Sequence, residues 1–272
     1  MKKIFLKKIA YAALAITLVS CGSSTKNTNT LRVGVQAGPE YKLAEAAKKE
    51  AKEKHNLDVE LISFTDYIMP NEALQQKDID VNVFQTVPYL EEQSKNRGYQ
   101  FAVVGNTFVY PMAGYSKKIK SISELKKDDT IVIPNDPSNL GRALLLLQQV
   151  GLIKLKADVG LLPTQRDIIE NKIGFSILEL EAPQLPRTLD DNKVTVAIIN
   201  NNFAASNNFV AKRDGIFMED EKSPYVNIIV SRKDNAMDEK VHKFVKAYQS
   251  EAVAKAAEEE FKGGAVQGWL SK

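Results

Sequence analysis

The segment Asn135-Asp-Pro-Ser-Asn-Leu-Gly-Arg142 joins an apolar run to a strongly apolar helical stretch, and its residue types suit an anion. Asp136 or Ser138 can cap the helix, whose first turn then displays free backbone N–H groups. A helix start of that kind attracts negative charge. Arg142, read as part of the same turn, adds a planar fork matched to a carboxylate. A solvent-facing arginine beside an ordinary capped helix fits the pattern equally well, so the segment alone leaves both readings standing. Asn200 and Asn227 fall at or near expected strand ends. A carboxamide both donates and accepts, so these two can hold an ammonium and a carboxylate or serve as turn residues. Phe64, Tyr67, Phe84, Tyr89, Phe108 and Tyr110 gather mostly near strand ends, a distribution that fits a core as well as a cage.

Covalent chemistry lacks its parts. The only histidines, His55 and His242, fall on charged faces of expected helices. There is no Gly-x-Ser-x-Gly elbow, no His-Glu-x-x-His, no Cys-x-x-Cys and no glycine-rich phosphate loop. Asp78 and Asp80 lie beside a strand edge, where acidic pairs are common at turns. The expectation is a binding protein with no catalytic residue, no metal and no cofactor.

The 272 residues, 44% apolar and 26% charged, have globular make-up and exclude disordered, collagen-like and disulfide-framework classes. The net charge of +3 becomes −1 once Lys2, Lys3, Lys7 and Lys8 are set aside. A near-neutral remainder offers no concentrated positive surface for phosphates, so nucleic acid is not an expected partner.

Residues 1–20 have the order of a secretion signal: four lysines, then an apolar run from Ile9 to Val19 too short to span a bilayer as a helix. The run ends in Leu-Val-Ser-Cys21, which resembles the lipobox of bacterial lipoproteins, whose cysteine is acylated and becomes the mature N-terminus. Cys21 is the sole cysteine, so no disulfide forms within the chain. Two or more acyl chains, at about 0.8 kcal/mol per buried methylene, hold a protein stably on a membrane. Cys21 is therefore an expected lipid anchor, with the protein facing the periplasm or the cell exterior. Residues 21–30, without an apolar side chain after the cysteine, read as a flexible tether.

From Leu31 onward short apolar runs alternate with longer amphipathic ones, the pattern of an α/β protein. Expected strands are 31–35, 59–64, 80–84, 101–104, 130–133, 177–180, 194–199 and 225–230. Expected helices are 41–55, 71–76, 87–97, 121–125, 140–150 and one long final helix, 239–261. The character changes near Pro111-Met-Ala-Gly-Tyr115. Residues 31–112 with 228–272 are expected to form one lobe and 113–227 a second, so that the chain crosses between them twice. Two crossings make a hinge.

Six phrases taken in order identify a resemblance: Val-Gly-Val-Gln-Ala-Gly-Pro-Glu40, Asp66-Tyr-Ile-Met-Pro-Asn-Glu-Ala-Leu74, Val-Gly-Asn-Thr-Phe-Val-Tyr-Pro-Met-Ala-Gly-Tyr115, Asn135 to Arg142, Glu181-Ala-Pro-Gln-Leu-Pro-Arg187 and Ser223-Pro-Tyr-Val-Asn227. The chain resembles the NlpA family of lipoproteins, the methionine-binding proteins of methionine ABC importers, from the lipobox to Gly-Gly-Ala-Val-Gln-Gly-Trp269. The resemblance implies a two-lobed periplasmic-binding-protein fold of type II character with L-methionine in the cleft. It also implies an ABC permease and its ATPase as partners of a monomeric protein. In the family an arginine at the position of Arg142 pairs with the ligand carboxylate, asparagines at Asn200 and Asn227 bind the polar end, and aromatics at Tyr67 and Phe84 enclose the thioether. One departure stands out: the family's Phe-Gln-His is here Phe84-Gln-Thr86. Thr86 is smaller and offers no imidazole, which opens the pocket to a methionine-containing dipeptide or another small apolar amino acid. A surface adhesin or scaffold that kept the fold without transport is the alternative of a different class.

Overall fold

A computed structural model describes residues 29–220 and 223–269. The signal segment, Cys21 and nearly all of the tether lie outside those residues. Thr30, assigned to the tether from sequence, is already the first residue of a strand.

The first half runs β1 (Thr30–Gln36), α1 (Pro39–His55), β2 (Asp58–Phe64), α2 (Met69–Gln75), β3 (Val81–Thr86), α3 (Val87–Arg97) and β4 (Phe101–Val109). It continues with β5 (Ala113–Tyr115), β6 (Thr130–Pro134), α4 (Pro137–Gln149), β7 (Lys154–Leu155), β8 (Ile168–Glu170) and β9 (Ser176–Leu180). The remainder is α5 (Leu185–Thr188), β10 (Val196–Ile199), α6 (Asn201–Ser206), α7 (Ala211–Asp214), β11 (Gly215–Met218), β12 (Val226–Arg232), α8 (Glu239–Tyr248), α9 (Glu251–Phe261) and β13 (Val266–Gln267).

Two larger sheets build two lobes. The first has the strand order β13-β4-β12-β3-β1-β2, and the second β11-β5-β10-β6-β9. β1 pairs in parallel with both β2 and β3, whereas β12 enters antiparallel between β3 and β4. Every residue of β3 is buried, as expected of a central strand covered on both faces. The chain leaves the first sheet after Val109, enters the second at Ala113, and returns through Glu219 and Tyr225 to Val226. These two crossings are bonded to each other: the Glu219 N–H donates to the Met112 carbonyl at 2.9 Å, and the Met112 N–H donates to Glu219 Oε2 at 3.0 Å.

Packing follows the same division. Leu31, Val33, Leu43, Ala47, Phe244 and Tyr248 are among the residues that close the first core, where α1, α8 and α9 cover the sheet. Ile131, Ile133, Leu144, Leu147 and Ile198 belong to the core beneath α4. α1 begins with Pro39 at its first position, after Gly38 at φ 91°, and ends on Asn56 in the left-handed region, behind Lys52, Lys54 and His55. Proline at the start and positive charge in the last turn both suit a helix.

Some boundaries differ from the sequence reading. The single helix expected over 239–261 is two, because Ser250 caps α9 by accepting from the Val253 N–H at 3.4 Å. The helix expected over 121–125 is one 3-10 turn, Ile122–Glu124, closed by a capping box from Ser121. No helix among the described residues is long and apolar enough to cross a membrane.

Candidate ligand-binding site

Residues of both lobes line one small cavity in the cleft between them. Tyr67, Phe84, Thr86, Arg142, Asn200 and Asn227, all six of the sequence candidates, line it together. Tyr67 follows β2, Phe84 and Thr86 end β3, Arg142 lies on α4, Asn200 precedes α6 and Asn227 is in β12. Strand ends and helix starts therefore converge there, as is usual in open α/β sheets. Glu40, Gln85, Tyr89, Tyr110, Asn139, Asn201 and Asn202 complete the lining.

One wall is aromatic. The ring of Tyr67 lies 5.8 Å from Phe84 and 6.0 Å from Tyr89, and Phe84 lies 5.9 Å from Tyr89, edge to face. The Tyr89 hydroxyl donates to the Tyr67 carbonyl at 2.8 Å and fixes this wall. Tyr67 also reaches the opposite lobe, with its ring 5.0 Å from Phe203 and its hydroxyl donating to Asn202 Oδ1 at 2.6 Å. Burial pushes the Tyr67 phenol well above its ordinary range, so it stays a donor. The other aromatic candidates divide. Tyr89 and Tyr110 line the cavity, but Phe108 packs in the core against Trp269 at 4.8 Å and Phe64 packs beside Leu74 and Ile79.

The opposite wall is polar. Of the two cap candidates Asp136 caps α4, accepting from the Asn139 N–H at 2.9 Å, while Ser138 lies inside the helix. The helix starts at Pro137, which places Arg142 in its second turn rather than its first. Arg142 consequently does not share the free N–H groups of the helix start and depends on other partners. Its Nε donates to Glu219 Oε1 at 2.7 Å, and its Nη2 to Glu219 Oε2 at 2.6 Å and to the Tyr110 carbonyl at 2.9 Å. The Tyr225 ring stacks 4.4 Å from the guanidinium carbon. Burial works against charge on Arg142, yet Glu219 outweighs it and holds the pKa above its ordinary value. Nη1 takes no part in these bonds.

Three oxygens of lining residues lack hydrogen-bond partners: the Tyr110 hydroxyl, one on Asn200 and one on Glu40. Asn200 donates through Nδ2 to Asn139 Oδ1 at 2.7 Å, while its own Oδ1 is buried and unbonded. Glu40, in the first turn of α1, is 5% exposed, and its Oε2 is likewise unbonded. Burial pushes the Glu40 carboxyl up to about 8. Asn227 stands opposite Thr86 in the β12–β3 register, so the residue that departs from the family pattern adjoins a candidate ligand residue. Behind them Asn71, Asn82 and Gln85 form a closed amide network, with bonds of 2.8–3.0 Å, that ties α2 to β3.

Sequence reasoning missed Glu40, Asn202 and Glu219 as site residues. Glu40 stood in a phrase already singled out and Asn202 lies two residues beyond the candidate Asn200, whereas nothing local marks Glu219. Asp80, by contrast, is structural, paired with Arg32 at 3.0 Å. His242 is exposed and His55 half-buried, both away from the cavity lining. Among the described residues no group of three or more His, Cys, Asp or Glu could hold a metal ion.

Known proteins are similar to this one over nearly the whole chain. The D-methionine-binding lipoprotein MetQ of Escherichia coli K12 is 57% identical over 255 residues, 94% of either chain. The crystal structure of the methionine-binding protein MetQ superposes with a TM-score of 0.88 at 58% identity, covering 89% of this chain and 99% of that one. A nutrient-binding protein of Burkholderia cenocepacia, solved bound to methionine, gives a TM-score of 0.85 at 44% identity, over 88% and 99% of the two chains. Such names describe solute-binding lipoproteins, a role that is not enzymatic. With the NlpA lipoprotein profile matching residues 31–269 as well, the chain belongs to the NlpA lipoprotein family.

Proposed function

We propose that the protein captures L-methionine between its lobes and delivers it to an ABC permease driven by a cytoplasmic ATPase. The observation that carries this reading is the convergence of Arg142, Asn200 and Asn227 with the Tyr67–Phe84 wall on one cavity. Arg142 takes the ligand carboxylate, Asn200 and Asn227 take the polar end, and the rings take the thioether. Burial of such a side chain contributes about 1.5–3 kcal/mol and each sulfur–aromatic contact about 0.3–1.5 kcal/mol, so the rings refine a choice that burial begins. Residues 31–112 with 228–272 move as one lobe against 113–227, and ligand favours the closed form through contacts made only there. Acylated Cys21 holds the protein at the membrane. Calorimetric titration of residues 22–272 with L- and D-methionine tests the reading. Saturable heat is expected, and neither heat nor a thermal shift at millimolar ligand overturns it.

Thr86 favours a second reading, in which the ligand is a methionine-containing dipeptide or another small apolar amino acid. Mass spectrometry of the ligand retained through native purification separates the two by mass.

A further inference from the structure

Glu40 is the only acid among the described residues lining the cleft, and the fold gives it no counter-charge. It is buried, its Oε2 is unbonded, and the one cation in the lining, Arg142, is engaged by Glu219. A carboxyl in such a place either keeps its proton or meets a cation brought from outside. Neighbouring elements do not supply one. Glu40 acts electrostatically on Tyr67 after β2, Tyr110 after β4 and Tyr248 on α8, but burial raises all three phenols, which stay neutral and offer no positive charge. From α6 the cavity receives only the amides Asn201 and Asn202, and α9 sets Phe261 against Tyr110 at 4.7 Å. The Tyr110 hydroxyl on the same side is unbonded but neutral, and across the cleft waits another unbonded acceptor, Asn200 Oδ1.

We propose that Glu40 on one lobe and Asn200 Oδ1 on the other seat the ligand's ammonium group, so that the site selects free amino acids and releases a proton on filling. This rests on the amino-acid reading above and adds the group that recognises the positive pole. The empty site carries a neutral carboxyl at pH 7, because burial lifts Glu40 to about 8. An arriving ammonium stabilises the anion and drives the proton to solvent. Affinity then rises about tenfold per pH unit below that value and levels off above it.

Titration of the mature chain with L-methionine at pH 7, in phosphate and in Tris, reads the proton directly through the buffers' different ionisation heats. Release of about one proton per ligand is expected. In Glu40→Gln, checked for folding by its melting transition, release falls to near zero and affinity becomes alike at pH 6 and pH 8. The des-amino analogue 4-(methylsulfanyl)butanoate binds the unaltered protein about tenfold to a hundredfold more weakly and without release. If Glu40→Gln does not fold, proton release and the analogue on the unaltered protein decide. Methionine binding with no proton released, or release that persists in Glu40→Gln, overturns the proposal and leaves the methionine reading intact. Leucine binding with Glu40-dependent release, where methionine gives no heat, does the reverse. Absence of binding by every amino acid tried overturns both.

Discussion

Arg142 and Glu219 form a buried two-point pair, with Nε on Oε1 at 2.7 Å and Nη2 on Oε2 at 2.6 Å. The pair lies between the two crossings that join the lobes: Glu219 Oε2 also accepts from the Met112 N–H, and Arg142 Nη2 also donates to the Tyr110 carbonyl. The cation expected to sense ligand is therefore bonded to both crossings. Removing one partner of such a pair leaves a buried charge alone, at a cost of about 3–5 kcal/mol. Glu219→Ala should lower the stability of the ligand-free protein by that order, read as an earlier urea midpoint. An unchanged midpoint would deny the pair any structural weight.

Asn227→Ala is the cleaner probe of binding. It removes a carboxamide from the cavity wall without stranding an ion, whereas Arg142→Ala abandons Glu219 in the interior and confounds folding with affinity. A hydrogen bond to a charged group contributes about 1.5–3 kcal/mol, which corresponds to a loss of about tenfold to a hundredfold in affinity. The expected outcome is that loss by calorimetry with little change in the ligand-free melting temperature. Undiminished affinity would remove Asn227 from the site.

Tyr67 joins the lobes through one hydroxyl, and Tyr67→Phe isolates that bond because the ring remains beside Phe84 and Phe203. A neutral hydrogen bond has a net contribution of about 0.5–1.5 kcal/mol, so affinity should fall about twofold to tenfold. The loss should appear in ligand release, since a bond between the lobes acts on opening. Stopped-flow displacement measures it, and an unaltered release rate would show that the bond does not latch the lobes.

Much of this was legible in the chain because it is written locally. Leu31 to Val35 and Val59 to Phe64 show their strands by apolar runs, and Asp136 announces its cap three residues ahead of Asn139. Other features leave no such trace. β5 and β11, of three and four residues, are too short for periodicity to register, although they carry the crossings. The break at Gln249 and Ser250 is hidden because Val253 and Ala257 continue the buried face of Phe244 and Tyr248. Glu219 meets Arg142 across 77 residues, a relation no spacing rule contains. Glu40 is concealed by its ordinariness, since an acid in the first turn of a helix needs no special explanation. Only burial distinguishes it.

That burial has a consequence for stability that needs no ligand. A carboxyl of ordinary value 4.5 in the unfolded chain and about 8 in the folded one keeps its proton longer when folded. Between those values the folded protein binds more protons than the unfolded one, so this contribution to stability falls as pH rises from about 4.5 to 8 and is constant above. Glu40→Gln removes the titration while keeping shape and a hydrogen-bonding end. In the ligand-free protein the variant should melt close to the parent at pH 5 and several degrees above it at pH 8.5, by scanning calorimetry. Saturating L-methionine should narrow the gap at pH 8.5, because its ammonium compensates the anion in the parent alone. A gap that is the same at both pH values would mean that Glu40 titrates in the folded protein as it does in the unfolded chain.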